Sequence, residues 1–234
     1  MKPDFVKGDG IGIKICGIRS LEDAKMSINL GANSLGFNFW HKSKRYITRK
    51  QLEEWIPLID DNIERVGVFV NADSDEVISL LEDNIIQVAQ FHGDEPSSYC
   101  ESISERFKVI RAVGVRDNES LDYLSSSTIK TILLDAYCPD NYGGTGRSFE
   151  WEIGEKYVNA NPQTDVILAG GLTPKNVINA INLFIKNLKS FKKNIENLDD
   201  NTLRKKLVNS KKVRQQILNL KQDIAKPDFG RDLS

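Results

Sequence analysis

Histidine and cysteine are scarce in this sequence: two of the first and three of the second in 234 residues. The cysteines, Cys16, Cys100 and Cys138, form an odd set without Cys-x-x-Cys spacing. That argues against a disulfide framework or a zinc site and suits a reducing compartment. His41 and His92 stand far apart, with no ligand cluster around either. An excess of charge of one sign is also missing. The formal net charge is −1, so the chain as a whole has no pull toward nucleic acid or acidic lipid. No apolar run approaches the ~18 residues that span a bilayer. Residues 1–12 are charged and glycine-bearing, too polar for a signal peptide, and read as a loose leader. These absences point to a cytoplasmic protein.

The stretch Ile13-Lys14-Ile15-Cys16-Gly17-Ile18 alternates apolar and polar residues and stops at Cys16-Gly17. It reads as a short strand with a thiol at its carboxyl end. A helix from Leu21 to Leu30 follows, with Ser20 placed to cap it. The pattern recurs. Strands are expected to begin near Ile13, Asn33, Glu64, Ile85, Phe107, Ile129 and Thr164. Their apolar, β-branched runs suit strands buried on both faces of a parallel sheet. Helices are expected between them. Thr48-Arg49-Lys50-Gln51 is a capping box opening Gln51 to Ile59. Ser74 is placed to cap Asp75 to Glu82. Pro96 fits the first turn of Pro96 to Arg106, and Thr173-Pro174 precedes Lys175 to Leu188. Alternation at roughly 20–35 residues per unit makes βαβ repeats, in an open doubly wound sheet or a (β/α)₈ barrel.

After about Phe184 the composition changes. Residues 186–221 hold eleven Lys/Arg against three acids, a net charge of +8. Leu203, Leu207, Val213, Ile217 and Leu220 recur at helical spacing, so this span reads as one or two basic amphipathic helices. It lacks the aromatic and Gly/Arg interleaving of a nucleic-acid binder and reads as a solvated face.

Several strand ends carry polar or small residues that could face one site. Cys16 ends the first strand and Arg45 lies in the loop after the second. Gln90-Phe91-His92-Gly93-Asp94 ends the fourth, and Arg111 sits in the fifth. Asp135 ends the sixth, with Tyr142-Gly143-Gly144-Thr145-Gly146 beyond it. Ala169-Gly170-Gly171 ends the seventh. In α/β barrels the active site is built at this edge. Taken singly, each residue has a plainer reading. Free cysteine is commonly a buried structural thiol. An Asp after a strand often caps a turn. His92 reads as a satisfied structural histidine rather than a metal ligand. Gly143 to Gly146 lacks the spacing of a phosphate loop and reads as a lid.

Seven stretches in order resemble the phosphoribosylanthranilate isomerase family of tryptophan biosynthesis. They are Lys14-Ile15-Cys16-Gly17-Ile18, then Gly36-Phe37 with Ser43-Lys44-Arg45-Tyr46-Ile47, and Val66-Gly67-Val68-Phe69-Val70-Asn71. Phe91-His92-Gly93-Asp94-Glu95, Leu133-Leu134-Asp135, Gly143-Gly144-Thr145-Gly146 and Gly170-Gly171-Leu172-Thr173-Pro174-Lys175-Asn176-Val177 complete the set. The resemblance covers about residues 13–183 and implies a TIM-barrel-like (β/α)₈ fold. It also implies an aldose–ketose isomerase that acts without cofactor or metal on N-(5-phosphoribosyl)anthranilate, by an Amadori rearrangement. Cys16 matches the family's base and Asp135 its acid. Arg45 matches the residue that holds the anthranilate carboxylate. Gly170 and Gly171 match the phosphate-binding backbone, and His92, Gly143 and Gly144 fall in the substrate-binding set. The expected partner is this small phosphoribosyl substrate, not nucleic acid or membrane, with the chain a monomer or homodimer.

The related barrel isomerase of histidine biosynthesis uses carboxylates as both acid and base, which Cys16 does not match. A family barrel ends in an eighth strand with a Ser-Gly-Val-Glu-like segment, and no such segment follows Ile181. The expectation is therefore a leader over 1–12, a barrel over 13–185 with its eighth βα unit missing or degenerate, and a basic helical extension over 186–234. The alternative function is an impaired homologue that binds a partner through that extension.

Overall fold

A computed structural model describes residues 12–139, 142 and 148–185. Gly143, Gly144, the leader as far as Ile11 and the extension 186–234 lie outside the described residues.

Seven strands form one parallel sheet: β1 (Lys14–Cys16), β2 (Ser34–Asn38), β3 (Glu64–Phe69), β4 (Val88–Phe91), β5 (Lys108–Val115), β6 (Thr131–Ala136) and β7 (Asp165–Leu168). Each strand pairs with its sequence neighbours, in the order β1 to β7. That is the strand order of a (β/α) barrel, with seven strands present among the described residues. Helices α1 (Leu21–Asn29), α2 (Arg49–Glu53), α3 (Ser74–Glu82) and α4 (Ser97–Ser104) join the first five strands. A 3₁₀ segment (Asn118–Ser126) joins β5 to β6, and α5 (Trp151–Ala160) joins β6 to β7. The sequence reading named no helix in either of these last two connections.

Local chemistry sets the helix ends. The expected capping box at Thr48 is present, with Thr48 and Gln51 exchanging hydrogen bonds. The α-helix it opens stops at Glu53, short of the expected Ile59. Pro57, placed in a 3₁₀ turn (Ile56–Leu58), would clash with the carbonyl of residue 53 in an α-helix. Asp73, not Ser74, caps α3, since its Oδ1 accepts from the Asp75 N–H at 2.8 Å. Asn84 ends that helix in the left-handed region, and Ile85 and Ile86 turn their N–H groups back to the Leu80 carbonyl. This is why β4 starts at Val88, three residues later than expected. Pro96 stands at the N-cap of α4 with extended backbone, one position ahead of the first turn.

Alternation splits the sheet into two apolar faces, as a sheet covered on both sides requires. On the helix side Phe37, Phe69 and Phe91 are wholly buried. Phe37 meets Trp55 edge-on at 5.9 Å, and Phe91 meets Tyr99 of α4 at 5.3 Å. The other face gathers Val66, Val88, Ile110, Ala112 and Leu133, with Ile167 and Ala169 against them. Register carries Cys16 and Asp135 onto this second face. Cys16 lies beside Gly36, which lies beside Val66, and Asp135 is two residues beyond Leu133. The central strands β2, β3, β4 and β6 are buried throughout. The outer strands β1 and β7 are only half-buried, apart from exposed Ile15, and each pairs on one side among the described residues.

The contacts divide the chain between Leu172 and Thr173. In the second unit Thr173 donates its N–H to Asn176 Oδ1 at 2.7 Å, opening α6 (Val177–Ile185). The expected end of that helix at Leu188 lies outside the described residues. Among the described residues no helix is long and apolar enough to cross a membrane.

Candidate active site

Two groups of side chains stand at the carboxyl edge of the sheet. The first surrounds Cys16, a half-buried free thiol. Two glycines make room for it. A Cβ at Gly36 would stand 2.9 Å from its Sγ, and a Cβ at Gly17 would stand 2.9 Å from Arg45 Nε. Arg45 therefore runs across the backbone just after the thiol, and its Nη1 donates to the Cys16 carbonyl at 3.1 Å. The loop that carries Arg45 is closed by Ile47, whose N–H returns to the Asn38 carbonyl at 3.0 Å. Arg19 fastens the same loop by donating to the Lys44 carbonyl at 3.3 Å. Among the described residues Arg45 spends no other guanidinium N–H, which leaves a forked cation beside the thiol.

The second group surrounds Asp135, which is 7% exposed. Its Oδ1 accepts from the Ala136 N–H at 2.8 Å, and its Oδ2 stands 3.4 Å from His92 Nε2. Asp135 thus caps no helix. Gln90 Nε2 lies 3.3 Å from His92 Nδ1, so Gln90, His92 and Asp135 make one chain across β4 and β6. His92 thus stands between Gln90 and the candidate acid.

The loops above this chain are tied together. Buried Glu95 accepts from the Asn71 N–H at 2.8 Å and the Gly93 N–H at 2.9 Å, and pairs with Arg111 at 3.1 Å. Arg111 is thus not part of the strand-end site as the sequence suggested. It lies on the helix face of β5, where it also meets Cys100 Sγ at 3.2 Å. Burial raises the Cys100 thiol to about 11, so it is a neutral packing group at ordinary pH. Asn71 holds a left-handed backbone and accepts from the Asp94 N–H at 2.8 Å. Asp94 in turn accepts from the Tyr142 hydroxyl, which raises the tyrosine pKa. Tyr142 stands edge-on to Trp40, ring centres 5.6 Å apart, linking the loops after β2, β4 and β6. The sequence reading gave Glu95 no role beyond its place in the Phe91-to-Glu95 stretch, and did not name Trp40. The signal for Glu95 was an acid close behind the Gly93 turn, where N–H groups need an acceptor.

At the end of β7, Gly170 and Gly171 have φ of 77° and 61°. Two successive left-handed residues favour glycine at both positions. They sit at the same edge of the sheet as Cys16 and Asp135.

Comparison with known proteins shows the family. The family model described as N-(5'phosphoribosyl)anthranilate (PRA) isomerase matches residues 13–199. The chain belongs to the PRA isomerase family. A family member from Trichlorobacter lovleyi is 41% identical over 172 residues, 73% of this chain and 82% of the relative. The crystal structure of the PRA isomerase from Thermotoga maritima is 35% identical, with a TM-score of 0.67 over 75% of this chain and 84% of that one. Another PRA isomerase structure, in complex with reduced 1-(o-carboxyphenylamino)-1-deoxyribulose 5-phosphate, gives 33% identity and a TM-score of 0.64. It covers 75% of this chain and 83% of that one.

Proposed function

We propose that the chain catalyses the Amadori rearrangement of N-(5'-phosphoribosyl)anthranilate to its 1-deoxyribulose 5-phosphate ketose, a step of tryptophan biosynthesis in the cytoplasm. The observation that carries this reading is the pairing, at one sheet edge, of a thiol beside a forked cation with a carboxyl 3.4 Å from a histidine nitrogen.

Asp135 gives its proton to the furanose ring oxygen while the C1–O bond breaks, and the anthranilate nitrogen supplies the electron pair that makes the iminium ion. Cys16, as thiolate, removes the proton from C2, and the electrons of that bond form the enolamine. The C2 hydroxyl proton leaves as the ketone forms and restores Asp135, and the proton on Cys16 passes to C1. The rearrangement is thus neutral overall in protons. It asks for one acid and one base, each positioned. Arg45 is suited to the anthranilate carboxylate, because a planar guanidinium can bind both oxygens. The left-handed turn at Gly170 and Gly171 can bring backbone close to the phosphate.

Complementation of a tryptophan auxotroph that lacks this isomerase tests the reading. Growth with the full chain, lost with Cys16→Ser and with Asp135→Asn, is expected. Failure of the unmodified, folded chain to support growth or turnover would leave the partner-binding alternative.

A further inference from the structure

Asp135 can act as the acid only if its proton is available to the sugar. An imidazole nitrogen 3.4 Å away is a competing base if it presents a lone pair. The tautomer of His92 therefore matters, and it is set at the other ring nitrogen, where the only side chain within hydrogen-bond distance among the described residues is Gln90.

Gln90 is 2% exposed and stands in β4 on the face that carries Asp135, above Val88. A glutamine in an otherwise apolar strand is costly to bury unless both ends of its amide are used. Here Nε2 faces His92 Nδ1, while Oε1 has no partner among the described residues. The amide is held for the histidine at the expense of its own oxygen. An NH₂ donating to Nδ1 puts the imidazole proton on Nε2, facing Asp135 Oδ2.

We infer that Gln90 is a positioning residue for the reaction: it locks His92 as an Nε2–H donor, so that His92 cannot take the proton of Asp135. This deepens the proposed function and rests on Asp135 being its acid. Two consequences follow. Before transfer, the proton on Oδ2 has no imidazole lone pair to go to and is kept for the ring oxygen. After transfer, the carboxylate has the Ala136 N–H on Oδ1 at 2.8 Å and the His92 Nε2–H 3.4 Å from Oδ2, close enough to tighten as the charge develops. Both N–H groups stand beside the carboxyl before the charge develops, which is how preorganised dipoles favour a transition state over a ground state.

The test uses the full chain labelled with ¹⁵N at histidine, in Gln90→Met and Gln90→Glu variants. Methionine keeps the length without the donor. Glutamate offers only an acceptor and should draw the imidazole proton to Nδ1. With just two histidines, His41→Asn assigns the spectrum. In the unmodified protein His92 should be the Nε2–H tautomer. Gln90→Met should mix the tautomers, and Gln90→Glu should reverse them. Turnover should fall by ~10–100-fold with KM nearly unchanged, the scale seen when the partner orienting a metal-bound histidine is removed. Thermal melts show whether each variant is folded, and if one is not, the spectrum of the unmodified protein still decides. An Nδ1–H tautomer there would overturn the inference, and so would full turnover in folded Gln90→Met. Full turnover in Asp135→Asn is a different result, which removes the acid itself.

Discussion

At the scale of single residues, the reading separates groups that move protons from groups that bind. Cys16→Ser should keep the fold and lose most turnover, because a hydroxyl is a far weaker base than a thiolate near neutral pH. Steady-state rates check this, and unchanged turnover would remove Cys16 from the chemistry. Asp135→Asn keeps the shape but not the transferable proton, and a loss of about 10²–10⁴ in kcat is expected. A loss of only a few-fold would make Asp135 a local acceptor for the Ala136 N–H. Arg45→Ala should raise KM more than it lowers kcat, because the carboxylate it would hold is present in ground and transition states alike. The places of Cys16 and Asp135 at strand ends, and of Arg45 in the loop after β2, were legible because each sits inside an ordered motif. Arg111 was misread because register decides facing. A shift of one residue sends a side chain to the opposite face of a sheet, and Arg111 alternates with Ile110, which lies on the site face. Gln90 was seen as a strand-end residue, but its bond to His92 depends on β4 geometry that spacing alone does not fix.

At the scale of elements, the strands were legible and the connections less so. Apolar β-branched runs place β2, β3, β5, β6 and β7 to within two residues of their expected starts. The errors lie where side-chain chemistry outweighs pattern: Pro57 cutting α2, Asn84 delaying β4, and Asp73 displacing Ser74 as cap. The tie between the loops after β3 and β4 was also hidden, because Glu95 and Arg111 are far apart in sequence and meet only when β4 and β5 pair. Glu95→Ala would leave Arg111 buried without its partner, and breaking such a pair costs about 3–5 kcal/mol. Urea unfolding should show that loss, and Glu95→Gln with Arg111→Met should recover much of it. A loss under ~1 kcal/mol for Glu95→Ala would mean that the two backbone N–H groups find water instead. The same layer predicts a pH effect. Burial raises Cys100 from 9.0 to about 11, so the folded chain keeps its proton where the unfolded chain loses it. Stability from this group is complete below the unfolded value and falls as pH rises through 9 toward 11. Cys100→Ala should therefore lose less stability than the unmodified protein over that window, measured by melting at each pH. Parallel curves would contradict the burial argument.

At the scale of the whole molecule, the question is the edge that an eighth βα unit would cover. Ile15 on β1 is 38% exposed and Met26 on α1 is 53% exposed, although both are apolar. Such exposure, beside strand edges that pair on one side only among the described residues, is what a barrel avoids by closing on itself. The family match runs to residue 199, beyond the motifs legible in the sequence, but the sequence after Gly171 has no glycine before Gly230. A loop that wraps phosphate needs backbone able to approach closely, usually at glycine. A strand buried on both faces needs an apolar run, and the +8 span over 186–221 breaks its hydrophobic residues with lysine and arginine. Gly170 and Gly171 would then supply only part of the donor set that a phosphate dianion needs. Each charge-assisted hydrogen bond lost is worth on the order of 1.5–3 kcal/mol, and 1.4 kcal/mol is a factor of about ten in affinity. A phosphoribosyl product analogue should therefore bind this chain at least ~10-fold more weakly than it binds the Thermotoga maritima relative. Calorimetry on both proteins at one salt concentration decides it. Equal affinity would mean that residues beyond 185 complete the phosphate site without glycine, and that the closed edge of the barrel is built from the basic span itself.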